Sequence, residues 1–422
     1  MTVQEDFMAG KRQAEAYRTS INLSKMIKIA LIIRSLDHGG AERQLLALAK
    51  ALDKTRFSTT ILTFYPGGVL EKDLAGCGIR LISLNKGGRW DLPRFLSRLF
   101  HELRKLRPDI IHSYLDIPNV IAVCAKPFCS RPAVLWGVRS ANFDLDNYDW
   151  LRRLGSFLER RLAYVPDRII VNSHAGRRYL ISRGYPDEKL VVIQNGFDTT
   201  QFRPNNEARF KIRREWGSVD EQVLIGLVAR FDPVKDHATF LRAASVLSQV
   251  KPDARFVCVG SGPVACRQKL SEAADQLSLS GKIVWAGMRS DMADVYNAFD
   301  INVSSSISEG CPNVVGEAMA CAVPCVVTDA GDAAMMVGDT GFVCSPQEPQ
   351  ALAASLISCV ESDRISLGLR ARRRIEENWN IWQLSQNTER VLLSLAPECT
   401  SRPVGLITSS VETDSDALKF QG

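Results

Sequence analysis

The feature that most restricts this chain is an alternation running from end to end, in which short β-branched runs are separated by longer stretches with apolar residues at helical spacing. Strands that are apolar at nearly every position need cover on both faces, and helices connecting consecutive parallel strands provide it. The pattern predicts an α/β protein. A first series of strands is expected at Ile27 to Ile33, Thr59 to Phe64, Ile79 to Leu84, Asp109 to His112, Ala133 to Val138, Arg168 to Val171 and Leu190 to Ile193. A second series is expected at Val223 to Val228, Phe256 to Val259, Ile283 to Trp285, Ile301 to Val303, Cys325 to Val327 and Gly341 to Val343. Between strands, Leu92 to Leu106 places Phe95, Leu99 and Leu103 on one helical face.

The segment Asn195 to Asn206, rich in Asn, Gly and Pro, separates the two series. A length of 422 residues exceeds what one ordinary core occupies. The expected architecture is therefore two doubly wound, Rossmann-like domains facing a central cleft, covering 26–200 and 201–380. A helix over 381–396 is expected to pack back on the first domain. The flanks are an N-terminal extension over 1–25 and a polar tail over 397–422 that reads as disordered.

No window approaches the roughly 18 apolar residues of a membrane-spanning helix. Residues 1–25 carry charges throughout and lack the apolar centre of a secretory signal, so a cytoplasmic location is expected. The 11 cysteines show no paired metal-ligand spacing and read as free thiols. Charge is unevenly divided: 26–200 holds 27 Lys and Arg against 17 Asp and Glu, whereas 201–396 holds 20 against 23. The basic half is expected to meet something anionic. Its arginines and lysines on two amphipathic stretches (Arg94, Arg98, Arg104, Lys105 and Arg107; Arg152, Arg153, Arg160 and Arg161) suit peripheral contact with an anionic membrane or a phosphorylated lipid, and equally a solvated face. Nothing suggests nucleic acid as a partner.

The strongest local constellation is Glu309-Gly310-Cys311-Pro312-Asn313-Val314-Val315-Gly316-Glu317-Ala318-Met319-Ala320, following the strand Ile301 to Val303. Pro312 suits the first turn of a helix, whose N-terminal amides would face an anion. Glu317 lies about 6 Å along that helix from Asn313, near the offset between a phosphate and the next sugar ring. By spacing alone, a solvated Glu309 and an ordinary surface Glu317 fit as well.

This constellation resembles the paired-glutamate motif of the retaining family 4 glycosyltransferases, which have the GT-B fold. Other segments fit in the same order: Gly39-Gly40-Ala41-Glu42-Arg43-Gln44, Val192 to Asp198, Val228-Ala229-Arg230-Phe231-Asp232 through Lys235, and Val259-Gly260-Ser261-Gly262-Pro263. The resemblance covers Lys28 to Leu395. It implies a glycosyltransferase that takes its sugar from a UDP- or GDP-sugar and gives it to a saccharide or lipid-linked acceptor, as in cell-surface polysaccharide or glycolipid synthesis. Arg230 and Lys235 would bind the diphosphate, so that no metal or other cofactor is needed. Glu309 would hold the transferred sugar and Glu317 the ribose, while Gly39, Gly40 and the amides of Asn313 and Val314 would complete the phosphate and sugar contacts. His112 matches the family's active-site histidine. Two departures from the pattern are Met335, where many members carry glutamate, and Cys311, where a larger apolar residue is more common.

Three other readings compete. Gly260-Ser261-Gly262 after a strand suggests a dinucleotide fingerprint, but lacks the third glycine. A nucleotide-sugar-binding protein without transferase activity would carry the same donor groups. An inverting enzyme would need a general base in the first domain, for which His112 is a candidate. Asp144-Leu-Asp146 mimics a metal-binding Asp-x-Asp, but in a loop without the second domain pattern that such enzymes carry.

Overall fold

The computed structural model describes residues 26–88, 90–139 and 150–396. Both termini and the Asp144-Leu-Asp146 triplet lie outside the described residues. The first sheet has seven parallel strands: β1 (Ile27–Ile33), β2 (Phe57–Thr63), β3 (Arg80–Ser83), β4 (Ile110–Tyr114), β5 (Ala133–Val138), β6 (Arg168–Val171) and β7 (Leu190–Val192), in the order β3-β2-β1-β4-β5-β6-β7. The second has six: β8 (Leu224–Val228), β9 (Arg255–Val259), β10 (Ile283–Gly287), β11 (Ile301–Ser304), β12 (Cys325–Thr328) and β13 (Phe342–Cys344), in the order β10-β9-β8-β11-β12-β13. Both orders reverse direction next to the first strand of their series, and ligands of doubly wound sheets bind at that reversal, beyond the carboxyl ends of the strands.

Burial follows from the pattern. β1 and β4 are buried along almost their whole length, with helices on both faces. One face of the first sheet packs Leu31, Ile110 and Tyr114 with Leu45 and Leu48 of the helix Gly40–Ala51. The other packs Ile32, Ile111 and Trp136 with Phe95, Leu99 and Leu103 of the helix Leu92–Leu106.

Two stretches of chain cross between the sheets, and they run side by side. The Phe197 N–H donates to the Trp379 carbonyl (2.8 Å), and the Ile381 N–H donates to the Phe197 carbonyl (3.0 Å). Gly196 sits against this crossing, where an added Cβ would lie 2.7 Å from Leu384 Cβ. The helix Ile381–Leu395 then returns to the first sheet and buries Leu384, Leu392 and Leu393 beside the helix Gly40–Ala51. Its start is fixed by a capping box between Asn380 and Gln383.

Candidate donor site at the domain interface

The cleft is formed where the carboxyl ends of the two sheets face each other, and glycines set how closely they approach. Gly39 caps the helix Gly40–Ala51, and a Cβ on it would fall 1.8 Å from Glu42 Oε2. A Cβ on Gly40 would fall 2.9 Å from Asn313 Nδ2, which donates to the Gly40 carbonyl at 3.1 Å. Only glycine lets the other domain's side chain reach this backbone.

Asn313 opens the helix Asn313–Ala320 directly after Pro312, at the carboxyl end of β11. Its Oδ1 accepts from Asn195 Nδ2 (2.8 Å) and from Gln44 Nε2 (3.2 Å). Gln44 also exchanges two bonds with Gly196, donating to its carbonyl at 3.1 Å and accepting from its N–H at 3.0 Å. Arg139 Nη1 donates to Asn195 Oδ1, and its Nη2 donates to the Tyr114 hydroxyl, each at 3.1 Å. A continuous polar network thus joins the ends of β4 and β5, the crossing segment and the second domain's helix. Asn313 Oδ1 and Nδ2 are spent on it, and Val314 follows one residue on, partly exposed.

Glu317 is not a surface charge: it is 3% exposed. Its Oε1 lies 2.9 Å from Arg43 Nη1, and its Oε2 accepts from the Tyr296 hydroxyl at 2.8 Å. Burial pushes this carboxyl's pKa up, and Arg43 opposes the shift by favouring the charged form. Glu309, in the loop before the helix, accepts from Ser306 Oγ at 2.7 Å and pairs closely with Lys235. Lys235 ends a short turn after β8, held by Asp232, whose carboxylate accepts from the Val234 N–H at 3.1 Å. Arg230, from the same loop, is exposed and 3.4 Å from Asp232. The structure therefore brings Lys235 and Glu309 into contact and leaves Arg230 open to solvent.

His112 packs its ring 4.5 Å from that of Tyr114. It is fully buried within β4, with its Nδ1 3.1 Å from the Leu135 carbonyl oxygen and its Nε2 without a hydrogen-bond partner. Burial, ahead of any other influence, pushes its pKa down to about 3, so the ring is neutral. Among the described residues it bonds to none of the other candidate residues. Tyr114, two residues on, is the β4 side chain that joins the interface network through Arg139.

Sequence reasoning assigned no role to Arg43, Gln44, Asn195, Tyr296 or Arg139. Arg43 and Gln44 did carry a signal, following Gly39-Gly40 within one helical turn. Tyr296 carried none, because an apolar-looking helix position gives no hint of a carboxylate partner 21 residues on. The two departures have plain placements: Met335 is exposed and its carbonyl accepts from Arg374 at 2.9 Å, and the buried Cys311 offers its carbonyl to Asn195 at 2.9 Å. Gly260 and Gly262 are explained by packing, since a Cβ on them would lie 2.0 Å from the Ala229 carbonyl oxygen and 2.7 Å from Phe231 Cβ. They seat the loop that carries Arg230, and no dinucleotide fingerprint is needed to account for them.

Residues 38–201 match the profile of Glycosyltransferase Family 4, and residues 222–362 that of Glycosyl transferases group 1. The chain belongs to the group 1, family 4 glycosyltransferases. It is accordingly a transferase with the GT-B fold. EpsF of Bacillus subtilis strain 168 is 24% identical over 310 residues, 72% of this chain and 80% of that protein. The UDP-Gal:alpha-D-GlcNAc-diphosphoundecaprenol alpha-1,3-galactosyltransferase of Escherichia coli is 27% identical over 254 residues, 59% of this chain and 64% of that protein, just under two thirds. Among solved structures, Anabaena Alr3699/HepE in complex with UDP-glucose superposes with a TM-score of 0.77 at 22% identity, over 87% of this chain and 100% of that one.

Proposed function

We propose that this glycosyltransferase moves a hexose from a UDP-sugar to a saccharide or lipid-linked acceptor, with retention at the anomeric carbon, in the synthesis of a cell-surface polysaccharide or glycolipid. The observation that carries the reading is the meeting of Lys235 with Glu309 beside the N-terminus of the Asn313–Ala320 helix, whose Asn313 reaches the Gly40 carbonyl of the first domain. The helix amides at Asn313 and Val314, Lys235 and the exposed Arg230 form a positive cradle suited to a diphosphate leaving group. Glu309, released from Lys235 as phosphate arrives, accepts hydroxyls of the transferred sugar. Glu317, fixed by Tyr296, accepts those of the ribose. UDP is favoured as the nucleotide because the E. coli relative is named for UDP-Gal and the Anabaena structure holds UDP-glucose. The E. coli enzyme's name also supports a lipid-linked acceptor.

In the retaining step the glycosidic carbon–oxygen bond to the diphosphate breaks, the acceptor oxygen bonds to the same face of the sugar, and the departing phosphate oxygen takes the acceptor's proton. The neutral, sheet-bound His112 is a poor general base for the inverting alternative. The cationic cradle supports catalysis without a divalent metal. A thermal-shift screen of UDP- and GDP-sugars tests the donor, because a ligand that binds only the folded state stabilises it. Product NMR then tests the anomer, and an inverted product would overturn the mechanism.

We also propose that the first domain rests on an anionic membrane from the cytoplasmic side. The helix Leu92–Leu106 turns Phe95, Leu99 and Leu103 inward, so its basic residues form an ordinary solvated face. The helix Trp150–Leu162 differs. It leaves Leu154, Phe157 and Leu158 exposed between Arg153, Arg160 and Arg161, continuing to exposed Tyr164 and Val165. Apolar side chains flanked by arginines suit the boundary between headgroups and acyl chains. No helix among the described residues is long and apolar enough to cross a membrane.

A further inference from the structure

The helix Ala333–Val337 of the second domain begins after Asp332, the position from which an aspartate ordinarily caps its own helix. The Asp332 side chain makes no such cap. Its carboxylate instead crosses the interface to the first turn of the helix His174–Ser182, where Oδ2 accepts from the His174 N–H at 2.8 Å and Oδ1 from the Ala175 N–H at 3.0 Å. Gln194 Nε2 adds a longer contact at 3.4 Å. The next amide of that helix, Gly176, is already held at 2.9 Å by its own cap, Ser173 Oγ. A carboxylate only 4% exposed, bonded to two amides at the positive end of a helix, is a strong and directional tie between the domains.

Asp332 also grips the loop that carries Glu309. Its N–H donates to the Gly310 carbonyl at 2.8 Å. Gly331, at φ 66°, lies so close to the loop that a Cβ would fall 2.3 Å from the Glu309 carbonyl oxygen and 2.4 Å from that of Gly310. Toward the first domain, a Cβ on Gly310 would fall 2.8 Å from Asn172 Oδ1, in the residue just before the cap Ser173. Glu309 and Gly310 are thus wedged between Gly331–Asp332 and the residues that open the helix His174–Ser182. The nucleoside end of the proposed donor site is tied to the first domain separately, by Arg43 on Glu317 and Asn313 on Gly40.

We infer that Asp332 is a positioning residue for the transferred sugar: holding the helix His174–Ser182 with its carboxylate and the Glu309 loop with its N–H, it sets where Glu309 stands against the first domain. The inference rests on the reading of Glu309 as the group that accepts the sugar's hydroxyls, and adds a residue that acts through it. The Glu309 side chain is held by Ser306 and Lys235, both of the second domain. Its register against the first domain therefore comes through its loop's backbone, at Gly310 through Asp332 and at Cys311 through Asn195. Of these two ties, Asp332 carries the charge. Without its carboxylate the sugar end of the cleft can shift by a fraction of an ångström, and hydrogen bonds to hydroxyls weaken steeply with such a shift. Arg43 and Asn313 keep the nucleoside end in place.

The test is calorimetric titration of the full chain with UDP and with UDP-glucose, UDP-galactose and UDP-N-acetylglucosamine. Asp332→Asn removes the charge and keeps the side chain's size and the N–H to Gly310. Its UDP affinity should match the parent within twofold, while the UDP-sugar that the parent binds best should weaken about tenfold. His174→Pro approaches the same contact from the other side, and carries the test alone if Asp332→Asn does not fold. Ser173 is extended (φ −156°, ψ 152°), as a residue before proline must be, and proline suits the first helical position, so the change deletes the N–H on Asp332 Oδ2 and leaves the helix. It should weaken the same UDP-sugar and spare UDP, and the double variant should fall within twofold of Asp332→Asn. His174→Ala, which keeps that N–H, should match the parent. Equal losses for UDP and UDP-sugar, as a merely structural contact would give, unchanged UDP-sugar affinity in either variant, or full additivity of the two would overturn the assignment. A parent protein that binds none of the UDP-sugars would instead refute the donor reading, and the role of Asp332 with it.

Discussion

Arg43 of the first domain and Glu317 of the second form an ion pair across the cleft, 2.9 Å between Nη1 and Oε1, at the place proposed for the donor's ribose. The carboxylate is buried and the guanidinium partly exposed, so the pair neutralises a charge that would otherwise sit alone in the interface. A ribose entering here meets a carboxylate already oriented by Tyr296 and still able to accept further hydrogen bonds.

Glu317→Ala should weaken UDP binding by about 1–3 kcal/mol, the worth of a lost charged hydrogen bond, with little change in kcat. Tyr296→Phe should produce a smaller loss in the same direction. Calorimetric titration of UDP reads both, and parental affinity in Glu317→Ala would remove Glu317 from the nucleoside site.

Lys235 and Arg230 should divide differently. Both face charge that grows as the leaving group departs, so alanine at either should lower kcat more than it raises KM, by about 10²-fold or more at Lys235. Lys235→Ala also leaves the Glu309 carboxylate without its cation. Steady-state kinetics decides, and Arg230→Ala turning over at the parent rate would refute its role.

Activity should survive chelators. Loss of turnover in EDTA, restored by manganese, would show that the cationic cradle is insufficient.

Glu159 makes a prediction about stability. Its folded pKa of about 7 lies above the ordinary 4.5, so between these values the unfolded chain gives up the proton while the folded one keeps it. Stability from this group is therefore lost as pH rises through that window, up to about 3 kcal/mol. Denaturant unfolding should show Glu159→Gln gaining on the parent from about pH 4.5 to 7. His112 acts in the opposite sense. Its pKa is depressed from 6.5 to about 3, so acid favours the unfolded chain below pH 6.5, and His112→Gln should lose less stability than the parent on acidification.

For the membrane surface, flotation with liposomes containing anionic lipid should recover the protein at low salt and less of it at high salt. Phe157→Glu together with Leu154→Glu should abolish recovery. Unchanged flotation of that variant would place the contact elsewhere.

The strands were legible because their periodicity is local. β1, β5 and β6 fall where the apolar runs put them, and Leu92–Leu106 is a helix with the expected residues facing inward. Differences are confined to ends such as β4, which extends past His112 to Tyr114 because backbone pairing with β5 continues to Gly137. The motif residues were legible as types, and their side-chain partners were not. Glu317 could be read from spacing as a surface charge, because its burial is not written in its neighbours along the chain.

What the sequence by itself determined is the alternation of strand and helix, the glycines at 39 and 40, and the glutamate pair on a loop and the helix that follows it. Only the tertiary structure decided which groups meet: Asn313 on the Gly40 carbonyl, 273 positions apart, Arg43 on Glu317, 274 apart, and Asn119 on Glu159, 40 apart. The period of an element is set by its own backbone geometry and can be read within a few residues. Pairing across a cleft depends on how two sheets are juxtaposed, and that is fixed by the doubled crossing at Phe197 and Ile381 together with the shape of both surfaces, which no local window of sequence contains.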